Sequence, residues 1–241
     1  MAAGTSVSNS EPSLAARPSL LRRALHNARR WLGVRYNRLE AAVYDWRNGT
    51  DTGGKIAAAQ LDIPGELAGH VTGFQAVNEA HLRSALETLP FPQGSVFVDI
   101  GCGKGKPLLI AARFPYVVRA MGVELSEALC QAARRNIDVA RTRGDLRVPV
   151  DILQADALSI DFNRGENIFF LNNPFDADLM LRFISRLQAG AAHDGRTIWM
   201  LYYNPVHGDA IVADGRMRKI RELPFFGPGR DIHVFELKGT H

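Results

Sequence analysis

The chain has 241 residues, 46% of them hydrophobic and 22% charged, the balance of a folded domain with a modest extension rather than of a disordered chain. Two cysteines, Cys102 and Cys130, are too few for a disulfide framework or a structural zinc site and fit reduced thiols in a cytoplasmic protein. The net charge of +4 is unevenly spread: Arg17, Arg22, Arg23, Arg29, Arg30, Arg35 and Arg38 fall between Pro12 and Leu39, a stretch without an acid.

That basic run reads first as a solvated helix face and second as a contact surface for an anionic partner. No stretch approaches the roughly 20 apolar residues of a membrane-spanning helix, so no integral membrane segment is expected. The N-terminus lacks a secretory signal pattern. Its composition, rich in Arg, Ala and Ser and poor in acids, is also that of a mitochondrial transit peptide, ranked second to a cytoplasmic location.

In chain order, residues 1–17 are small and polar, with Pro12 and Pro18 opposing a helix, and read as a disordered tail. Ser19 suits the cap of a helix reaching Leu32, with Leu21, Leu25, Ala28 and Leu32 on one face. A second helix is expected over 37–46, ending at Asn48-Gly49, then a loop over 50–54. A third helix covers 79–89, closed by Pro90 and Pro92. Residues 18–92 therefore form a helical extension.

From Ser95 the rhythm changes. Strands are expected over 95–100, 118–124, 150–154, 167–171, 197–203, 217–223 and 231–237, with helices over 107–114, 127–142 and 177–188. The alternation predicts an α/β domain over 93–241: a doubly wound, mostly parallel seven-stranded sheet whose last strand is antiparallel, closed by a hairpin. No internal repeat is present.

The chemistry concentrates at the ends of these strands. Val96-Phe97-Val98-Asp99-Ile100-Gly101-Cys102-Gly103-Lys104-Gly105 is a buried strand delivering an acid into a glycine-rich turn, where backbone can approach a ligand closely. Its glycines read G-x-G-x-G rather than the G-x-G-x-x-G of a dinucleotide site, which disfavours a nicotinamide dehydrogenase. Glu124 ends the second strand 19 residues after Gly105, where a carboxylate can accept both hydroxyls of a ribose; the plainer alternative is a cap for the next helix. Asp156 follows the third strand and can pair with an adenine edge. Asn172-Asn173-Pro174-Phe175 ends the fourth strand, where an Asn carbonyl can hold an amine and the Phe175 ring can face a cation. An Asn-Pro turn that only starts the next helix is the alternative. His70, His207 and His233 are candidate bases by residue type alone. Lys104 and Lys106 could face a carboxylate, although solvated loop lysines are the simpler expectation. No group suggests a metal site.

These features, in this order, resemble the class I (seven-strand, Rossmann-like) S-adenosylmethionine-dependent methyltransferases over roughly Ser95 to Leu237. The resemblance implies S-adenosyl-L-methionine as cofactor, with Asp99, Gly101, Gly103 and Gly105 around its methionine part, Glu124 on the ribose and Asp156 beside the adenine. It makes Asn172, Asn173 and Phe175 the catalytic candidates, since the turn looks like a relative of the N-P-P-[YF] turn of amine methyltransferases, with Asn173 replacing the first proline. The segments Tyr44-Asp45-Trp46-Arg47-Asn48-Gly49-Thr50-Asp51-Thr52 and Gly73-Phe74-Gln75 look like a bacterial subgroup similar to seven-strand protein-lysine methyltransferases. That likeness implies a cofactor lid built on Phe74, without the lid hydroxyls of those enzymes. The implied reaction is methyl transfer to a nitrogen or oxygen of a protein (lysine among the options) or a small molecule. A cofactor-binding module without catalysis, acting as a sensor or partner subunit, is the alternative.

Overall fold

A computed structural model describes residues 20–63, 65, 69–225 and 230–239, and for 20–30 the backbone alone. The expected tail, the Ser19 cap and part of the expected hairpin turn lie outside the described residues.

The described chain enters on one 29-residue helix, α1 (Leu20–Asn48), where the spacing predicts two. Nothing between 33 and 36 breaks a helix. Gly33 costs about 1 kcal/mol in a helix interior, but it is buried against the body, and packing overrides propensity. Gly49, at φ 69°, ends the helix in the left-handed conformation that glycine takes without penalty. Two short strands, β1 (Lys55–Ile56) and β2 (Phe74–Gln75), pair antiparallel; two-residue strands carry no readable period, and neither is expected from the sequence.

Helix α2 (Glu79–Thr88) starts at Asn78, whose side chain accepts from Ala80 N and His81 N. Then follow β3 (Ser95–Ile100), α3 (Lys106–Ala111), β4 (Val117–Glu124), α4 (Glu127–Thr142), β5 (Val150–Gln154), β6 (Glu166–Asn172), α5 (Ala177–Asp194), β7 (Ile198–Tyr203), α6 (Gly208–Asp214), β8 (Arg218–Leu223) and β9 (Ile232–Leu237). Most ends agree with the expected ones to within two residues. Helix α3 stops three residues early, at Ala111, and α5 runs six residues past its expected end, because Gly190 and Ala191 bury there and Gly195 supplies the left-handed stop. The short helix α6 is unexpected.

Seven strands form one sheet in the order β5-β4-β3-β6-β7-β9-β8. All neighbours from β5 to β7 are parallel, and β9 runs antiparallel between β7 and β8. Strands β3 and β6 are the central pair and almost wholly buried, which is why they read as unbroken apolar runs. One face packs Phe97, Phe170 and Tyr203 against α2, α3 and the end of α4; the other packs Phe169 and Met200 against Phe183, Ile184 and Leu187 of α5. The chain steps outward from β3 to β5, then crosses back to β6. Strand order therefore reverses between β3 and β6, and a crevice opens at their carboxyl ends.

Candidate active site

A cavity of about 850 Å³, counting its open mouth, lies in that crevice. Its wall includes Asp99, Gly101 and Cys102 after β3, Glu124 at the end of β4, Asp156 after β5, and Asn172, Pro174 and Phe175 after β6. The expected acids, one glycine and three residues of the 172–175 turn therefore meet at one place. Gly103, Gly105 and Asn173 are not in its wall.

The glycine turn is shaped for close approach. Gly101, Gly103 and Gly105 all have positive φ, at 69°, 54° and 84°. A Cβ on Gly101 would stand 3.3 Å from Pro174 Cβ, and one on Gly103 would enter the Phe74 ring, 2.3 Å from its Cδ2. Gly105 is the N-cap of α3, and Lys106 and Pro107 open the helix.

The two central carboxylates have opposite circumstances. Glu124 is buried with its oxygens occupied: Oε2 accepts from Gly103 N (2.9 Å), and Oε1 from Leu125 N (2.8 Å) and Ser126 N (3.0 Å). Burial pushes its pKa up, and those three N–H groups pull it back. Helix capping itself falls to Ser126, which accepts from Leu129 N. Asp99 is equally buried, yet its Oδ2 has no hydrogen-bond partner among the described residues. Burial first, and Glu124 second, hold its pKa well above the usual carboxylate value. Asp99 is itself a residue of the cavity wall, and a buried carboxyl oxygen without a partner is one that an ammonium would satisfy. The α-ammonium of a methionine moiety fits it.

Asp156 accepts from Leu158 N through Oδ1 and caps a single 3₁₀ turn at 157–159, while still lining the cavity.

A strap made by residues 55–63 and 69–75 covers the crevice. Asn172 Nδ2 donates to Gln75 O (2.9 Å), the Thr72 hydroxyl donates to Asn173 O (2.6 Å), and Thr72 N donates to Pro174 O. His70 Nδ1 lies 2.7 Å from Asp176 Oδ2, and Ser126 Oγ donates to Asp62 at the start of α4. The absence of lid hydroxyls at 74–77 is thus offset by main-chain groups and by Thr72. Gly73 is required by contact: a Cβ there would stand 2.2 Å from Ile56 O.

The 172–175 turn divides. Asn172 lines the cavity. Asn173, at φ 46°, turns its Oδ1 to accept from Tyr202 Oη (2.6 Å), so its side chain braces the turn from beneath. Phe175 lines the cavity with little exposed surface and packs its ring against Phe183, so much of it belongs to the core.

Solvated loop lysines are the simpler expectation from the sequence, but Lys106 is buried and Lys104 part-buried. Lys106 is 2% exposed, its Nζ paired with Glu40 of α1 (2.9 Å) and placed 4.3 Å from the Tyr44 ring centre. Lys104 pairs with Asp51. The 44–52 motif explains itself through Asp45, whose carboxylate accepts from the Thr50 hydroxyl, the Thr52 hydroxyl and amide, and Gly53 N, folding the loop that brings Thr52 to the cavity. Asn136 of α4 clamps the same loop to the glycine turn by donating to both Asp51 O and Lys104 O. Glu40 and Asn136 are invisible to sequence reading, since their partners lie 39 and 32 residues or more away. No histidine is in the cavity wall. His233 is part-buried, and its Nδ1 has no partner among the described residues.

Residues 98–171 match the family model of a methyltransferase domain. No curated protein is significantly similar in sequence. Among solved structures, an uncharacterised protein of Listeria monocytogenes serotype 4b is 10% identical over 66% of this chain and 67% of its own, with a TM-score of 0.50. Mitomycin 7-O-methyltransferase is 17% identical over 67% of this chain, with a TM-score of 0.49; the match spans 54% of that enzyme, about half its length. The magnesium protoporphyrin IX methyltransferase of Synechocystis PCC 6803, solved with bound S-adenosylmethionine, is 13% identical over 67% of this chain and 76% of its own, at a TM-score of 0.45.

Proposed function

We propose that this chain, which is a class I S-adenosylmethionine-dependent methyltransferase, carries the methyl group to a neutral amine nitrogen on a protein side chain, lysine among them, or on a small molecule. The observation that carries the choice of nitrogen is the composition of the cavity wall. Its acids, Asp99, Glu124 and Asp156, all lie at the ends of β3, β4 and β5, while the turn after β6 offers amide and aromatic groups alone. Lys106 is committed to Glu40, and burial keeps the Cys102 thiol protonated. An alcohol acceptor needs a group to take its proton during attack; an amine that has lost its proton to solvent, as a lysine ammonium must first, attacks with its lone pair and releases a further proton to solvent afterwards.

S-adenosyl-L-methionine, when bound, supplies a sulfonium whose methyl is already activated for transfer. The chain's own contribution is position and exclusion of water. In this reading Asp99 Oδ2 takes the ammonium and the glycine turn passes the methionine backbone. Glu124 Oε2, which takes the Gly103 amide alone, keeps one acceptor position for a ribose hydroxyl, and Asp156 stands beside the adenine. Phe74 closes over the turn. Asn172, held by Gln75 O, presents its carbonyl to the incoming amine, and Phe175 forms the apolar wall behind the methyl.

Label transfer tests this. Purified protein is incubated with methyl-labelled cofactor and, separately, a protein extract, a panel of primary amines and a panel of matched alcohols. Label stable to mild base and confined to amine or protein acceptors is expected, with Asn172→Ala lowering turnover about a hundredfold at nearly unchanged cofactor affinity. Label entering alcohols or carboxylates in preference would overturn the assignment to nitrogen.

A further inference from the structure

Helix α1 is the longest helix among the described residues. At 1.5 Å per residue its 29 residues span about 44 Å. Gly33, Ala41, Tyr44 and Asn48 face the body. The opposite side carries Leu32, Tyr36, Leu39, Val43 and Trp46, all between 49% and 86% exposed. Their spacing of four, three, four and three residues keeps them on one stripe. Large apolar side chains in a continuous exposed row are a mark of something that covers them.

The charges beside the stripe say what kind of surface that is. Helix α1 contains two acids, Glu40 and Asp45, and both are turned inward, to Lys106 and to the 50–53 loop. The outward side keeps only cations: Arg35 and Arg38 are exposed, and the Arg35 guanidinium stacks 4.7 Å over the Trp31 ring. A basic rim with tryptophan and tyrosine beside an aliphatic stripe is the make-up of a helix lying in a bilayer interface, where arginines reach lipid phosphates and aromatic rings sit at headgroup depth. The same spacing would suit a helix-to-helix seam. A second copy of this chain, however, would bring Arg35 and Arg38 against cations with no outward acid to pair them. Among the described residues no helix is long and apolar enough to cross a membrane.

We propose that the outer face of α1 is a docking surface for an anionic lipid bilayer, on which the enzyme lies with this helix parallel to the membrane plane. The inference is independent of the methyl acceptor.

The full chain is mixed with vesicles of pure phosphatidylcholine and with vesicles of phosphatidylcholine and phosphatidylglycerol. Sedimentation and tryptophan emission are then read, with analytical ultracentrifugation in parallel without lipid. Binding to the anionic vesicles alone, with a blue shift from Trp31 and Trp46, is expected. Replacing Arg35 and Arg38 by Gln should weaken it about fivefold per charge. Leu39→Ser with Trp46→Ser should weaken it at least tenfold, while the thermal melt and cofactor affinity hold. Three results would overturn the proposal: no vesicle binding, binding untouched by the Leu39 and Trp46 changes, or a lipid-free dimer that those two changes dissolve.

Discussion

The Phe74 ring lies directly over Gly103, so that the space a Cβ would fill at 103 is already taken by Phe74 Cδ2 and Cε2. The strap and the glycine turn are therefore fitted to each other atom against atom. Gly103→Ala should displace the ring and weaken cofactor binding at least tenfold, with a further cost of about 1–2 kcal/mol from the left-handed backbone at φ 54°. Phe74→Ala should restore part of the affinity to Gly103→Ala, although alone it weakens binding. Calorimetry on the four proteins of this cycle measures the coupling. Additive losses would mean that the ring and the glycine act separately.

Under the proposed function, Asp99 trades stability for binding. Its carboxyl pKa is raised in the folded state, so the folded protein loses stability as pH rises through that raised value, and nothing is lost below the ordinary carboxylate range, where both states are protonated. Asp99→Asn should raise the melting temperature of the cofactor-free protein at pH 7 by a few degrees, at about 2–4 °C per kcal/mol. The gain should vanish near pH 3, and cofactor binding should fall steeply at every pH. A variant no more stable than the parent at pH 7 would show that the buried carboxyl carries no penalty.

The Lys106–Glu40 pair ties α1 to the start of α3. Burial lowers the Lys106 pKa more than Glu40 can restore it. Glu40→Gln leaves that cation without its charged partner, and the expected destabilisation is about 3 kcal/mol. Lys106→Met together with Glu40→Leu should recover most of it. Urea unfolding of the three variants checks the order; a Glu40→Gln protein as stable as the parent would reduce the pair to a surface contact.

His81 is buried, stacked 4.1 Å from the Phe225 ring and 3.0 Å from Tyr203 Oη. Burial, helped by the Arg230 charge, lowers its pKa to about 4. The unfolded chain takes up a proton near pH 6.5 while the folded one does not, so stability is lost as pH falls from 6.5 towards 4. The expected loss is about 1 kcal/mol by pH 5, allowing for solvent screening. His81→Phe should flatten this part of the stability profile. An unchanged slope would assign the acid sensitivity to another group.

The last lesson concerns which contacts are written locally. The strands from Ser95 onward, every later helix but α6, the acid at the end of β3, the glycine turn and the acids after β4 and β5 were legible in the sequence, because strand period, helix caps and glycine spacing act between near neighbours. The family resemblance rested on the same local marks. Tertiary structure alone decided that α1 is one helix, since packing of Gly33 outweighed its propensity. It also decided that Lys106 is buried on Glu40, that Asn173 braces Tyr202 rather than the cavity, and that Phe175 shares its ring with Phe183. The Lys106–Glu40 and Asn173–Tyr202 contacts join residues far apart in the chain. Which side chains meet across such gaps is set by how the sheet and helices close on one another, not by any pattern among adjacent residues.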